Sequence, residues 1–293
     1  MHGHRVSFMH KSDNSPIIEF SYSNFGLQKH KVYGIINTIT NESENLMSNY
    51  KISRVSAMHY AKMVIRALLF FGAAGLYIFK RITGKGIFLE NSKALPLLLI
   101  LIWIVYAIEM ACRFFPSKLE SPGCQKQFAC NFIPTEAKEP SLQSWKRTFA
   151  VIAAWFALNG IIGALYFTDI IDAGILILIT LAYGVCDMIC ILFFCPFQTW
   201  FMKNRCCTDC RIYNWDFAMM FTPLIFIPHP YTYSLVTPSL MLLFRWEWNY
   251  KRHPERFSEA TNACVSCKHC NEKLCRHKKQ LMAFIRDKKF IKR

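Results

Sequence analysis

The chain has 293 residues, of which 53% are hydrophobic, 15% aromatic and only 18% charged. This composition excludes an ordinary soluble domain and favours a protein embedded in a lipid bilayer. The formal net charge is +16. Because the Lys and Arg residues lie between and after the apolar runs, anionic lipid headgroups account for them, and we expect no nucleic-acid partner.

Residues 1–57 are rich in Asn, Ser and Thr and contain no apolar run long enough to build a core. We expect this segment to be disordered, or not to be translated, since Met47 and Met58 are alternative starts. The first sixty residues also hold no apolar signal-peptide segment. The thirteen cysteines are therefore expected to be reduced rather than paired in disulfides.

Four apolar runs approach or reach the roughly 20 residues that a helix needs to cross the hydrocarbon core. They are residues 63–79, 94–112, 149–167 and 173–197. Residues 215–248 are also apolar, but four prolines interrupt them, which predicts two short spans that meet at Pro228-His229-Pro230. A single kinked crossing is the alternative. The predicted fold is all-α: a polytopic membrane helix bundle over residues 58–250 with about six spans.

The distribution of basic residues predicts the orientation of this bundle. Loops 113–148 and 198–216 are basic, and the tail 251–293 carries thirteen Lys and Arg. The positive-inside rule therefore places these segments and both termini in the cytosol, at the cell (cytoplasmic) membrane, although the loop after the first span is also basic. This orientation puts the loop and tail cysteines on one side, which predicts a small Cys-rich cytosolic cap.

The tail contains a tight cysteine run, C-x2-C-x2-C-x4-C, formed by Cys264, Cys267, Cys270 and Cys275. A triplet at this spacing is typical of the ligands of a 4Fe-4S cluster. Structural zinc and the absence of any metal are the alternatives. The loop cysteines expected to share the cofactor site are Cys206, Cys207 and Cys210, and weaker metal-ligand candidates are Cys195, Cys124 and Cys130.

The remaining polar and thiol groups lie inside the spans. Cys112, Cys186 and Cys190 are expected to pack between helices. Asp187 is the candidate catalytic residue, because an ionised group at that depth is costly and usually functional. Its two possible roles are a proton acceptor beside a quinone pocket and a buried partner of Arg66, Asn159 or Thr180. Glu109, near a span end, is expected to reach the headgroups.

Several stretches carry a resemblance to known families: Cys195-Pro-Phe-Gln, Asn204-Arg-Cys-Cys-Thr-Asp-Cys-Arg, Trp215-Asp and His253-Pro-Glu-Arg-Phe. Together with the tail cysteines they resemble an uncharacterised family of clostridial multi-span membrane proteins over residues 58–275. The resemblance implies the span boundaries and a cytosolic cysteine cap, and it brings no activity. The chain more weakly resembles the membrane-bound ferredoxins of quinol oxidation, although their repeated C-x2-C-x2-C-x3-C-P motif is missing.

These observations lead to three hypotheses. The first is a membrane protein that binds an iron–sulfur cluster on its cytosolic face and relays electrons between the membrane, where a quinone is a candidate partner, and an acidic soluble redox protein. The second is a zinc-stapled membrane scaffold without catalysis. The third is a small transporter that uses Asp187 and the proline-broken spans. The sequence leaves open whether the protein is an enzyme and what its oligomeric state is.

Overall fold

The structure is a computed structural model that describes residues 54–83, 94–116, 122–137, 139–204 and 210–266. All of these residues belong to one compact unit. The expectations for residues 1–57 therefore lie almost entirely outside the described residues. Only residues 54–57 are described, and they belong to the first helix, which begins at Arg54. Those expectations stay predictions.

The described residues fold into helices and contain no β-strand, only an isolated bridge between Pro134 and Asn262. The predicted all-α class is confirmed for this part of the chain. Five long helices form the bundle: α1 (Arg54–Thr83), α2 (Ala94–Phe114), α3 (Trp145–Phe167), α4 (Ala173–Leu192) and α5 (Pro230–Arg252).

Four of these helices are long and apolar enough to cross a membrane by length and composition. Their apolar segments are Ala57–Thr83, Leu97–Phe114, Trp145–Phe167 and Ala173–Leu192. Large apolar side chains such as Leu68, Phe71 and Phe156 stay exposed on them. Because such a surface is unfavourable in water, these helices are those of a membrane protein, as the first four apolar runs predict.

The fourth helix ends earlier than the apolar run predicts, at Leu192 instead of residue 197. Pro196 explains the difference, because proline cannot donate a backbone hydrogen bond and disfavours a helical conformation in the residue before it. The chain turns at residues 193–196 and continues in the short helical segment Phe197–Met202. At its other end, α4 is capped by Asp172, which accepts a hydrogen bond from the Ile175 amide at 2.9 Å.

The proline-rich region differs from the predicted pair of short spans. The part of this region before Pro228 consists of three short helical segments, Arg211–Trp215, Asp216–Met220 and Thr222–Phe226. The chain then reverses next to Pro228, as predicted, and α5 follows as a continuous helix of 23 residues with Pro238 inside it. At 1.5 Å per residue α5 is about 34 Å long, but it is not among the four helices that are both long and apolar enough to cross a membrane. The six-span count stays a prediction.

Small residues let the helices approach closely inside the bundle. Ala73 of α1 is fully buried in the main core, which includes Leu69, Leu176 and Leu181. Gly184 of α4 lies directly against Tyr106 of α2. This use of Ala and Gly at helix contacts is typical of packing in membranes, where close van der Waals contact replaces the hydrophobic effect.

The helix bundle has two distinguishable ends. At one end the turn after α3 meets the turn before α5, and the rings of Phe167 and Phe226 are 5.9 Å apart. At the other, Tyr60 near the start of α1 packs against Phe193 after α4, with ring centroids 6.4 Å apart. We call this second end the loop end, because the described residues of segments 122–141, 195–216 and 253–266 also lie there.

Candidate functional site

Asn262 joins two of the loop-end segments. Its side chain is fully buried. The amide oxygen accepts hydrogen bonds from the backbone N–H groups of Cys264 at 3.1 Å and Ile133 at 3.4 Å. The amide nitrogen donates to the carbonyls of Arg256 at 2.9 Å and Lys126 at 3.1 Å. One side chain thus fixes the beginning of the tail, including Cys264, against segment 122–137.

Backbone hydrogen bonds strengthen this contact between the tail and segment 122–137, which we call the Asn262 joint. The Ala263 amide donates to the Ile133 carbonyl at 2.9 Å, and the Thr135 amide donates to the Thr261 carbonyl at 3.2 Å. The buried Ser258 hydroxyl accepts from the Ser141 amide at 3.0 Å. The tail segment 258–264 is therefore held at several points along its length.

The third loop-end segment, 195–216, is joined by side-chain contacts to the other elements of the loop end. Asn214 donates to the Gln127 side chain at 2.7 Å, and both residues are buried. Arg211 binds Glu247 of α5 with 2.5 Å between Nη2 and Oε2. Its guanidinium also lies over the rings of Tyr250, at 4.4 Å, and Trp145, at 4.8 Å. The described parts of all three segments therefore meet at the loop end.

The predicted metal ligands are only partly covered by the structure. Cys264 is half-buried in the Asn262 joint, Cys130 is exposed and Cys210 is buried. Five predicted ligands lie outside the described residues: Cys206, Cys207, Cys267, Cys270 and Cys275. The side chain of Cys124 lies outside the described part as well. Among the described residues, no group of three or more His, Cys, Asp or Glu side chains is close enough to hold a metal ion. The predicted ligand set stays a prediction.

A buried ion network crosses the bundle near the loop end, and Arg66 of α1 is its centre. Arg66 is 1% exposed. Its Nη2 atom lies 2.5 Å from Oε2 of Glu109, and its Nη1 atom lies 2.9 Å from Oδ2 of Asp187. Nη1 also donates to the Gly184 carbonyl at 2.9 Å. Asp187 is therefore a partner of Arg66, which is one of the two roles that the sequence leaves open.

Glu109 does not extend to the headgroups as expected, because it is 7% exposed and turns inward to Arg66. A guanidinium in an apolar layer needs acceptors for its donors, and Glu109 provides two of these hydrogen bonds. The sequence does contain a signal for this pairing. Arg66 and Glu109 carry opposite charges and lie within the apolar runs of two consecutive helices.

A second buried pair lies beside the first. Arg113 of α2 and Asp216 are 2.6 Å apart between Nη2 and Oδ2. Both guanidinium groups lie near the ring of Phe217, with Arg66 at 5.9 Å and Arg113 at 5.5 Å from its centroid. The network thus links α1, α2, α4 and the short helix Asp216–Met220. The sequence does not predict the ion pair of Arg113 and Asp216, because Asp216 stands next to Trp215 at an expected span end.

Two further buried polar groups border this network. The ring nitrogens of His59 and the hydroxyl of Tyr106 have no hydrogen-bond partner among the described residues. Both residues are at most 1% exposed. Buried polar groups of this kind usually bind an ordered water molecule.

Four cysteines line a cavity of about 130 Å³ between α4 and the chain that follows it. We call it the thiol cavity and define it by Cys186, Cys190, Cys195 and Cys210, with Asp187 and Asp216 also on its wall. Cys186 is exposed and Cys190 is half-buried. The expectation that Cys112 and Cys186 pack between helices is not met, since both side chains are exposed.

The loop end therefore combines rigid joints between cysteine-bearing segments, a buried ion network and a cavity with four thiols. Thiols at such a site can ligate a soft metal, undergo oxidation or simply pack. Comparison of the chain with protein-family models, with curated proteins and with solved structures finds no match.

Proposed function

We propose that the protein is an integral membrane protein that holds an iron–sulfur cluster at its loop end, on the cytosolic side, and relays electrons through it. The support is the meeting of three cysteine-bearing segments at that end. The Asn262 joint fixes Cys264, the first residue of the tail run, against segment 122–137. The contact between Asn214 and Gln127 ties in the segment that contains Cys206, Cys207 and Cys210.

A rigid anchor next to the first ligand suits a metal centre. Fixing Cys264 removes part of the entropy cost of gathering four thiolates around a cluster. The remaining residues of the run, Cys267, Cys270 and Cys275, follow within eleven positions of the anchor. Three of the four cysteines keep the spacing of a cluster-binding triplet.

The zinc-stapled scaffold is the second candidate, because the same joints serve a structural ion equally well. The iron–sulfur protein and the zinc scaffold differ in the metal they bind and in the colour of the purified protein, since zinc has no redox chemistry. The transporter is the weaker third candidate, since Asp187 already serves as a counter-ion of Arg66. The lipid bilayer is the partner that the apolar helices support.

Metal analysis of anaerobically purified protein tests the proposal. We expect iron and acid-labile sulfide in equal amounts with broad visible absorbance, and we expect Cys267→Ser to lose most of both. Cys112→Ser is the matched control, because Cys112 is exposed near the end of α2 and is not one of the predicted ligands. Stoichiometric zinc without sulfide would select the scaffold. Protein without bound metal, and no difference between the two variants, would rule out both metal hypotheses.

A further inference from the structure

Cys190 and Cys195 form a thiol pair that the break after α4 creates. On a continuous helix, residues five apart lie about 140° apart around the axis and cannot meet. Because α4 ends at Leu192 and the chain turns before Pro196, the two side chains line the same cavity and interact with each other. The Gln198 amide also donates to the Cys195 sulfur, at 3.4 Å. The pair is therefore held in place by the fold.

The pair faces a cavity whose size suits one six-membered ring. The thiol cavity has a volume of about 130 Å³, and protein cavities of about 150 Å³ bind benzene. Its walls include the aromatic side chains of Trp155, Tyr183 and Phe197. The carboxylates of Asp187 and Asp216 also line the wall, where each is paired with an arginine. A planar apolar ring matches the aromatic and apolar remainder of this lining.

Part of the cavity lining reaches the surface of the bundle, since Cys186 is exposed. Cys186 belongs to α4, the most apolar of the four candidate membrane helices. We therefore expect a ligand of this cavity to be lipid-soluble.

We propose that Cys190 and Cys195 are a redox-active dithiol and that the thiol cavity binds the ring of a lipid-soluble quinone, which oxidises them. This inference goes beyond the proposed cluster and does not require a bound metal. An alkyl chain of a lipid in the same cavity is the competing occupant, and it would carry out no chemistry.

The reaction balances without any other reactant. A bond forms between the two sulfur atoms of Cys190 and Cys195, and both S–H bonds break. Two electrons and two protons pass to the quinone, whose two carbonyl oxygens become the hydroxyl groups of the quinol. The dithiol is oxidised to a disulfide and the quinone is reduced, which is a two-electron exchange.

The test uses the full chain in lipid nanodiscs, reduced and then freed of reductant under anaerobic conditions. The probe is a short-chain ubiquinone, because its fully substituted ring leaves no position for a thiol to add. We expect one quinol for each disulfide formed, and mass spectrometry should locate that disulfide between Cys190 and Cys195. Cys190→Ser and Cys195→Ser should each abolish quinol formation. Cys112→Ser, outside the cavity, should retain it.

A cavity-filling variant separates ring binding from simple thiol reactivity. Met219 lines the cavity, so Met219→Trp should slow oxidation by the quinone but not oxidation by diamide, a small water-soluble oxidant. Equal diamide rates also show that the variant is folded around an intact pair. Quinol formation that persists in Cys190→Ser, a disulfide between other cysteines, or no reaction of the wild type with the quinone would overturn the proposal. Loss of iron alone would leave these results unchanged.

Discussion

Arg66 and Glu109 form a buried ion pair, with Nη2 and Oε2 2.5 Å apart and side chains that are 2% and 9% exposed. The pair joins α1 to α2 in a region that is otherwise apolar. Asp187 adds a second carboxylate from α4 at 2.9 Å. One guanidinium group thus holds together three helices that are separate spans in the sequence. Its removal would leave two carboxylates without their cation.

Replacing Arg66 with Leu should destabilise the protein strongly. Breaking a buried ion pair by removing one partner costs about 3–5 kcal/mol, because the remaining charge stays desolvated. The measurement is unfolding of the purified protein in mild detergent by titration with a denaturing detergent. Arg81→Leu is the matched control, since Arg81 is exposed in the last turn of the same helix. Equal unfolding midpoints for both variants would show that the network contributes nothing to stability.

Asp187→Asn should be milder than Glu109→Gln. Glu109 accepts two hydrogen bonds from Arg66, whereas Asp187 accepts one from a nitrogen that also binds the Gly184 carbonyl. The Arg66 charge therefore keeps its main partner in the Asp187 variant. Unfolding in the same assay ranks the two variants. The reverse order would mean that Asp187 is the principal counter-ion. Loss of proton-linked solute uptake in Asp187→Asn, with stability unchanged, would revive the transporter hypothesis.

Gly184→Ala should loosen the contact between α4 and α2. A Cβ atom at this position would meet the Tyr106 hydroxyl and would lie 2.9 Å from the Met220 sulfur. Overpacking of this kind costs about 1–3 kcal/mol. Gly160→Ala is the control, because a Cβ at residue 160 has no neighbour within 4 Å. We expect Gly160→Ala to be neutral or slightly stabilising in the same unfolding assay. A neutral Gly184→Ala would contradict the close approach of the two helices.

Asn262→Ala should release the beginning of the tail. The substitution removes four hydrogen bonds of a fully buried side chain and should cost about 1–3 kcal/mol. Hydrogen exchange should accelerate at the amides of Ala263 and Cys264. Asn131→Ala is the control, since Asn131 is exposed and its side chain donates one hydrogen bond to the Gln125 carbonyl. Unchanged exchange in Asn262→Ala would mean that the backbone bonds alone hold the tail.

The four apolar helices follow from the sequence because a membrane helix needs only length and apolarity, and both are properties of the run itself. The end of α4 shows where this fails. Residues 193–197 are as apolar as the helix before them, so the run extends past Leu192. Only the restriction that Pro196 places on its neighbour reveals the break. The thiol pair of Cys190 and Cys195 depends on this break and was therefore not foreseeable from spacing.

The ion network was foreseeable only in part. Arg66 appears among the possible partners of Asp187 because an isolated carboxylate in a span requires a cation. Glu109 was misjudged, since its distance from the span end does not reveal the direction in which its side chain turns. The Asn262 joint has no signal in the sequence, because the four partners of the side chain are all backbone groups and lie up to 136 positions away.

The most direct test of the proposed cluster is electron paramagnetic resonance of the protein after anaerobic purification and reduction with dithionite. The account predicts the signal of a reduced 4Fe-4S cluster, retained in Cys112→Ser and lost in Cys267→Ser. It also predicts a weaker signal in Asn262→Ala, whose tail is no longer anchored. A reduced sample that contains stoichiometric zinc and no paramagnetic iron–sulfur signal would contradict the account.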